Sequence, residues 1–242
     1  MREIMDDPRI TVAEVAVLAE RFARGVESAA QSAITARGRF AFVIPGGSAA
    51  EQFLPELASA RIDWTRTHIF YSDERFVPRS DPASSAAASM RLLFATLGTR
   101  GPHVHPMVET ANDPEREATC YTTLLKDTLG PEPIADLTLL GIGEDGHVAS
   151  LFPGRASLEV AESRVVVERD SPKPPKTRLT LSLPLLASSR VLWIAAFGTG
   201  KAEPLRAVLQ DDSCTLPAAR LLRAAPHTRF LLDAQAASQL GS

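Results

Sequence analysis

The chain has little of several things that would narrow its chemistry at once. Of 242 residues only two are cysteines, Cys120 and Cys214. They stand far apart, with no C-x-x-C and no ligand-like spacing. That leaves no basis for a disulfide framework or a zinc site, and it fits a reducing compartment. An excess of one charge is also missing, since 26 Lys and Arg against 29 Asp and Glu give a net charge of −3. A nucleic-acid partner is therefore not expected, and any anion would need a local basic site. No segment approaches the roughly 18 uninterrupted apolar residues of a membrane span, and "MREIMDDPRI" has no apolar signal core. The expectation is a soluble, cytoplasmic protein with no membrane partner. There is no G-x-S-x-G elbow to supply an acyl-serine nucleophile. Nor is there a G-x-x-x-x-G-K-[ST] loop for a nucleoside triphosphate.

What is present is an alternation of two periods. Residues 11–38 carry apolar positions at helical spacing and stop at Gly38. Residues 39–45 form a short apolar run ending in Pro45-Gly46-Gly47, which reads as a buried strand and a turn. The same logic predicts helices from about Ala49, over 84–97, over 114–129 and from Lys201. Strands are predicted at 67–72, 136–142, 163–169, 177–183, 190–197 and 228–234, with a short one near 103–107. Strands separated by helices imply an α/β fold, a mostly parallel, Rossmann-like sheet with helices on both faces. The length of 242 residues suits one domain. The Pro-rich "SPKPPK" (171–176) lies inside this pattern and reads as a functional loop rather than a boundary. In such folds ligands bind at the carboxyl ends of the strands. The candidate chemistry therefore belongs just after 39–45, 67–72, 136–142 and 190–197.

After the third of these stands "LLGIGEDGHVASLFPG" (139–154), with Gly141, Gly143 and Gly146 spaced as G-x-G-x-x-G. A dinucleotide site needs the third glycine to open a long helix facing a pyrophosphate. Here Pro153 and Gly154 follow too soon for a crossover helix. The acidic residue expected about 20 positions on falls before the next strand, not at its end. The nicotinamide reading is set aside. What remains is Glu144-Asp145-Gly146-His147 on a tight glycine loop, where glycine lets the backbone approach a ligand and imidazole titrates near neutrality. A capping or core role for His147 is the plainer alternative; two carboxylates at a strand-end loop favour chemistry.

The other strand ends add partners. "YSDERFVP" (71–78) places Asp73, Glu74 and Arg75 in an extended segment, so Asp73 and Arg75 share a face and Glu74 points elsewhere. Arg75 could hold an oxyanion or form a structural ion pair. Gly46, Gly47 and Ser48 could cradle a phosphate or form an ordinary β–α turn. Arg178, opening a strand, and Lys201, after a glycine turn, complete a metal-free monophosphate site if they converge on Gly46-Gly47. His103 and His105 share a face, but no third metal ligand is obvious, so both are read as structural.

Together these motifs resemble the 6-phosphogluconolactonase family, in that family's order, from about Gly46 to Lys201. "SDERFVP" is similar to its D-E-R-x-V-P block, and "LLGIGEDGHVASLFPG" to its G-x-G-x-D-G-H-x-A-S-L-F-P block. "PPKTRLTLS" is similar to its P-x-x-R-I-T-L stretch, and "GTGKAE" to its G-x-x-K turn. Two blocks depart. The family's G-G-S-T-P is Gly46-Gly47-Ser48-Ala49-Ala50 here, and its S-N pair is Ser84-Ser85. The resemblance implies hydrolysis of 6-phosphoglucono-δ-lactone, a small-molecule sugar-phosphate lactone, in the oxidative pentose phosphate pathway. It implies a fold shared with glucosamine-6-phosphate deaminases and ribose-5-phosphate isomerase-like proteins. No cofactor and no metal are expected, and the protein is expected to be a monomer.

The roles that follow are His147 as general base, with Asp145 or else Asp73 orienting its imidazole. Arg75 and the backbone N–H groups of Gly141–Gly146, Gly143 and Gly146 among them, would face the oxyanion. Gly46, Gly47, Ser48, Arg178 and Lys201 would hold the phosphate. A deaminase or isomerase of the same fold is the nearest alternative. That family pairs its D-G-H loop with D-E-Y and F-N-E-P, whereas Arg75 and Ser150-Leu151-Phe152-Pro153 stand here. A catalytically silent sugar-phosphate sensor is the alternative of another class, and it has no need to keep His147.

Overall fold

The computed structural model of the chain describes residues 7–241. Among the described residues there are ten strands and eight α-helical segments. They are β1 (Ile10–Val12), α1 (Val15–Arg37), β2 (Phe40–Ile44), α2 (Gly47–Phe53), β3 (Thr67–Tyr71), β4 (Asp73–Arg75) and α3 (Ser85–Ser89). A π-helical turn over Met90–Phe94 joins α3 to α4 (Ala95–Leu97). There follow β5 (His103–Val104), α5 (Pro114–Leu129), β6 (Leu137–Gly141), β7 (Val165–Glu168), β8 (Arg178–Leu181) and α6 (Leu183–Ala187). The chain ends with β9 (Leu192–Ala196), α7 (Ala202–Gln210), α8 (Pro217–Ala224) and β10 (Arg229–Leu232).

Seven strands form one sheet in the order β1-β10-β9-β6-β2-β3-β5, and every pairing in it is parallel. All five residues of β2 and of β9 are buried, which requires cover on both faces and explains their uninterrupted apolar runs. Helix α1 supplies part of that cover. Its stripe of Leu18, Phe22, Val26, Ala30 and Ala33 recurs every three to four residues and is buried. Gly25 sits mid-helix because the Trp193 ring of β9 lies against it; a Cβ there would come within 2.1 Å of the indole. Gly38, at φ 75°, ends the helix with its N–H on the Ile34 carbonyl.

From β2 the chain steps outward through β3 and β5 on one side. It then returns to place β6, β9 and β10 on the other. The order thus reverses between β2 and β6, and the loops leaving their carboxyl ends flank a crevice. A second, antiparallel sheet of three strands, β4-β8-β7, stands beside this end.

Three features differ from the sequence expectation. Ile10–Val12 is a strand on β10, not the first turn of α1. Its β-branched residues suit an edge strand, and the helical period begins only at Val15. Strands β7 and β8 do not join the parallel sheet. They pair with β4, a segment too short and too charged to stand out as a strand. Helices α6 and α8 fall between predicted elements, each opened by a proline in its first turn. Among the described residues, no helix is long and apolar enough to cross a membrane. Both cysteines are free, Cys120 exposed and Cys214 buried.

Candidate active site

A cleft of about 170 Å³ opens at the switch between β2 and β6. It is lined by Pro45–Ala49 after β2, Asp73 and Arg75 of β4, Gly141–Gly143, His147 and Ala149 after β6, Arg178 of β8, and Lys201 after β9. Of the residues singled out in the sequence, Gly46, Gly47, Ser48, Asp73, Arg75, Gly143, His147, Arg178 and Lys201 meet here. Asp145 and Gly146 do not line it.

The loop after β6 is shaped around one pair of side chains. His147 Nδ1 lies 2.5 Å from Asp145 Oδ1, and the same oxygen accepts the His147 backbone N–H at 3.2 Å. Gly143 makes room for the pair, because a Cβ there would come within 2.0 Å of His147 Nδ1 and 2.5 Å of Asp145 Oδ1. Burial opposes ionisation of Asp145, but the hydrogen bond and charge of His147 outweigh it and hold the carboxyl down to about 2. An ionised Asp145 accepts the Nδ1 proton, so the neutral imidazole keeps its lone pair on Nε2. The ring packs on Phe152, with centroids 4.6 Å apart, and Arg178 stands over the same phenyl ring at 5.8 Å.

Gly146 has another purpose than the one the sequence suggests. Its φ of 77° demands glycine, and a Cβ would come within 2.7 Å of Leu216. Its carbonyl accepts the Ala218 N–H at the start of α8. It shapes the loop against α8 rather than facing the cleft. Ala149, which does line the cleft, holds φ at 51°, a left-handed conformation uncommon outside glycine.

Asp73 and Glu74 divide as the extended geometry requires. Asp73 is buried at the cleft wall, where it accepts from Ser72 Oγ at 3.0 Å and from Ser150 Oγ at 2.6 Å. Asp145, and not Asp73, is thus the carboxylate on the imidazole. Glu74 turns the other way, to the start of α3. It accepts from the backbone N–H groups of Arg75, Ser85 and Ala86 and from Ser84 Oγ, at 2.7–3.0 Å. Burial raises its carboxyl above the ordinary range, against those four hydrogen bonds. The result is a clamp that fixes the backbone of Arg75.

Arg75 donates from Nη1 to the Ala83 carbonyl at 2.7 Å, while its Nε is buried without a partner. Ser85 Oγ is likewise buried and unpartnered, and a Cβ on Gly46 would come within 2.5 Å of it. Pairing of β4 with β8 sets Arg75 directly opposite Arg178. Like charges opposed across a ladder disfavour the fold on their own account. Arg178 is buried, which lowers its pKa against the opposing charge of Asp73. Burial also lowers the Lys201 ammonium, against the opposing charge of Glu144. The cleft therefore gathers three cations, one buried carboxylate and one imidazole nitrogen.

His103 and His105 lie elsewhere, in a ring stack with His68 at the sheet edge, where His68 Nδ1 and His105 Nε2 are 3.0 Å apart. Among the described residues, no three His, Cys, Asp or Glu side chains are grouped to hold a metal. Glu74, Ser150 and Glu144 stand in the motifs read from the sequence, which assign them no role in the site. Ser150 meets Asp73 from 77 residues away, a pairing no local pattern announces.

Comparison with known proteins places the chain in a family. The family described as glucosamine-6-phosphate isomerases/6-phosphogluconolactonase matches residues 13–230. The 6-phosphogluconolactonase of Mycobacterium leprae is 36% identical over 88% of this chain and 90% of its own. That of Streptomyces coelicolor is 32% identical over 97% and 95%. The solved 6-phosphogluconolactonase of Trypanosoma brucei superposes with a TM-score of 0.84 at 25% identity, covering 96% of this chain and 98% of that one. The chain belongs to the glucosamine-6-phosphate isomerase/6-phosphogluconolactonase family.

Proposed function

We propose that this protein hydrolyses 6-phosphoglucono-δ-lactone to 6-phosphogluconate in the oxidative pentose phosphate pathway, with His147 as general base. The observation that carries the mechanism is the contact of Asp145 with His147 Nδ1, which assigns the role of base to Nε2, beside a cleft lined by Arg75, Arg178 and Lys201. The curated relatives named for this activity support the choice of substrate.

Water attacks the lactone carbonyl carbon as His147 Nε2 takes one of its protons, a contribution typically worth ~10²–10⁴ in rate. The carbonyl electrons move onto oxygen. Arg75 faces that oxyanion; the Gly143 N–H is donated within the loop, to the His147 carbonyl at 2.8 Å. Collapse of the tetrahedral intermediate breaks the bond to the ring oxygen, which leaves as a hydroxyl on taking the proton back from the imidazolium. The new carboxylic acid then ionises. Asp145 holds the ring in place throughout and balances its transient charge. Arg178, Lys201, Ser48 and the Gly46-Gly47 turn hold the phosphate at the far end of the substrate, so that binding energy orients the reacting carbonyl. No step of this chemistry calls for a cofactor. Two free cysteines suit a cytoplasmic setting, and we read the working unit as a monomer.

The test is to generate the lactone in situ and follow its loss above spontaneous hydrolysis, in EDTA. Acceleration by the protein is the expected result. No acceleration would reject the reading and direct the next assay to ammonia release from glucosamine 6-phosphate.

A further inference from the structure

The loop at 171–176 has no part in the reaction just described. It carries two lysines, and the fold treats them differently. Lys176 Nζ lies 3.5 Å from Asp170 Oδ1, an ordinary exposed ion pair. Lys173 is exposed, and its ammonium has no ion pair or hydrogen bond among the described residues. Its main chain is nevertheless tied down. The Lys173 carbonyl accepts from Ser171 Oγ at 2.9 Å and from Arg178 Nη2 at 3.2 Å, and the Pro175 carbonyl accepts from Arg178 Nε at 3.3 Å. Arg178 is a wall of the cleft. The loop is thus pinned by its carbonyls to a guanidinium that lines the cleft, with Lys173 itself outside the lining.

Lys201 lines the same cleft, also without an ion pair among the described residues. It stands close enough to Lys173 for the two charges to repel: after burial and the opposing charge of Glu144, Lys173 is the next influence on the Lys201 ammonium, and it lowers it. Acidic residues outnumber basic ones in this chain, 29 to 26. Glu144 offsets the repulsion between the two lysines in part, and an anion joining the two ammonium groups would remove the rest.

We propose that Lys173 is a further substrate-binding residue, a cation on the 171–176 loop that shares the sugar phosphate with Lys201. The identity of the sugar rests on the lactonase reading; the anion site does not. Lys173 sets preference for a phosphorylated over an unphosphorylated lactone. Being exposed, it acts through screened charge, so its effect is modest and falls with salt.

The experiment compares wild type with Lys173→Ala, Lys173→Arg and Lys176→Ala. Two quantities are read: KM for the phosphorylated lactone, and the dissociation constant of inorganic phosphate followed by calorimetry. Lys173→Ala should raise both about fivefold near 20 mM salt, and the difference should fade toward ~0.5 M. Lys173→Arg should restore most of the loss. Lys176→Ala should change neither, and hydrolysis of unphosphorylated glucono-δ-lactone should be equal in wild type and Lys173→Ala. Wild-type phosphate affinity in Lys173→Ala, or equal weakening in Lys173→Ala and Lys176→Ala, would overturn the proposal. If wild type fails to hydrolyse the phosphorylated lactone, the lactonase reading falls while the phosphate titration still decides the role of Lys173.

Discussion

The two sheets of this protein bury different things. Strands β2 and β9 of the parallel sheet bury Phe40–Ile44 and Leu192–Ala196, apolar side chains with no task beyond packing. The small antiparallel sheet buries Asp73, Glu74, Glu168 and Arg178, charges that a stable core avoids unless each is satisfied. Each of these carboxylates accordingly has named donors. Ser72 and Ser150 serve Asp73, four groups serve Glu74, and Ser157 Oγ reaches Glu168 at 2.5 Å. Stability is thus concentrated in one sheet, while the other holds buried charge in fixed positions around the cleft.

If that division is right, a cavity in the parallel sheet should cost stability without touching catalysis. Phe42 is fully buried, with its ring 5.7 Å from Phe40 and 6.3 Å from Phe22. Phe42→Ala should destabilise by ~3–5 kcal/mol in urea denaturation, with kcat of the folded protein near wild type. A large loss of kcat with intact folding would blur the comparison.

The small sheet should behave in the opposite way. Glu74→Gln keeps the volume but sets an amide N–H₂ where only acceptors are wanted. Stability should drop by about 2 kcal/mol, less than in the parallel sheet. Activity should fall further than that loss explains, because the Arg75 backbone is released from its carboxylate. Kinetics measured well below the melting transition would separate the two effects.

The smallest effect belongs to the loop between the sheets, where Asp145 is 43% exposed and solvent screens its pairing with His147. The Asp145 carboxyl is held down to about 2, below its unfolded value of ~3.9. A depressed acid contributes stability that is present above the unfolded value and lost as pH falls through the folded one. The stability gap between wild type and Asp145→Asn should therefore be open at pH ~5 and close between pH ~4 and ~2. A gap that persists at the acid end would separate Asp145 from the ion pair.

The same contrast explains what the chain discloses before it folds. The parallel strands are legible as apolar runs, and the residues at their carboxyl ends, Gly46, His147 and Lys201, are legible because the fold rule points there. Arg75 just past a predicted strand and Arg178 opening another are legible as cations in the same way. Strand β4 is hidden, since three charged residues carry no apolar signal, and its pairing with β8 joins segments about a hundred residues apart. Ser150 on Asp73 is hidden for the same reason. Gly146 misled by sitting in the motif while serving Leu216 and α8. Strand β1 lay concealed under the helical period of α1.

The central claim is that His147, held by Asp145, takes the proton of the attacking water. The most direct measurement is kcat for in situ lactone hydrolysis with wild type and His147→Ala side by side, together with phosphate affinity for both. The account predicts a loss of roughly 10²–10⁴ in kcat with phosphate binding retained. A His147→Ala protein as active as wild type would contradict it.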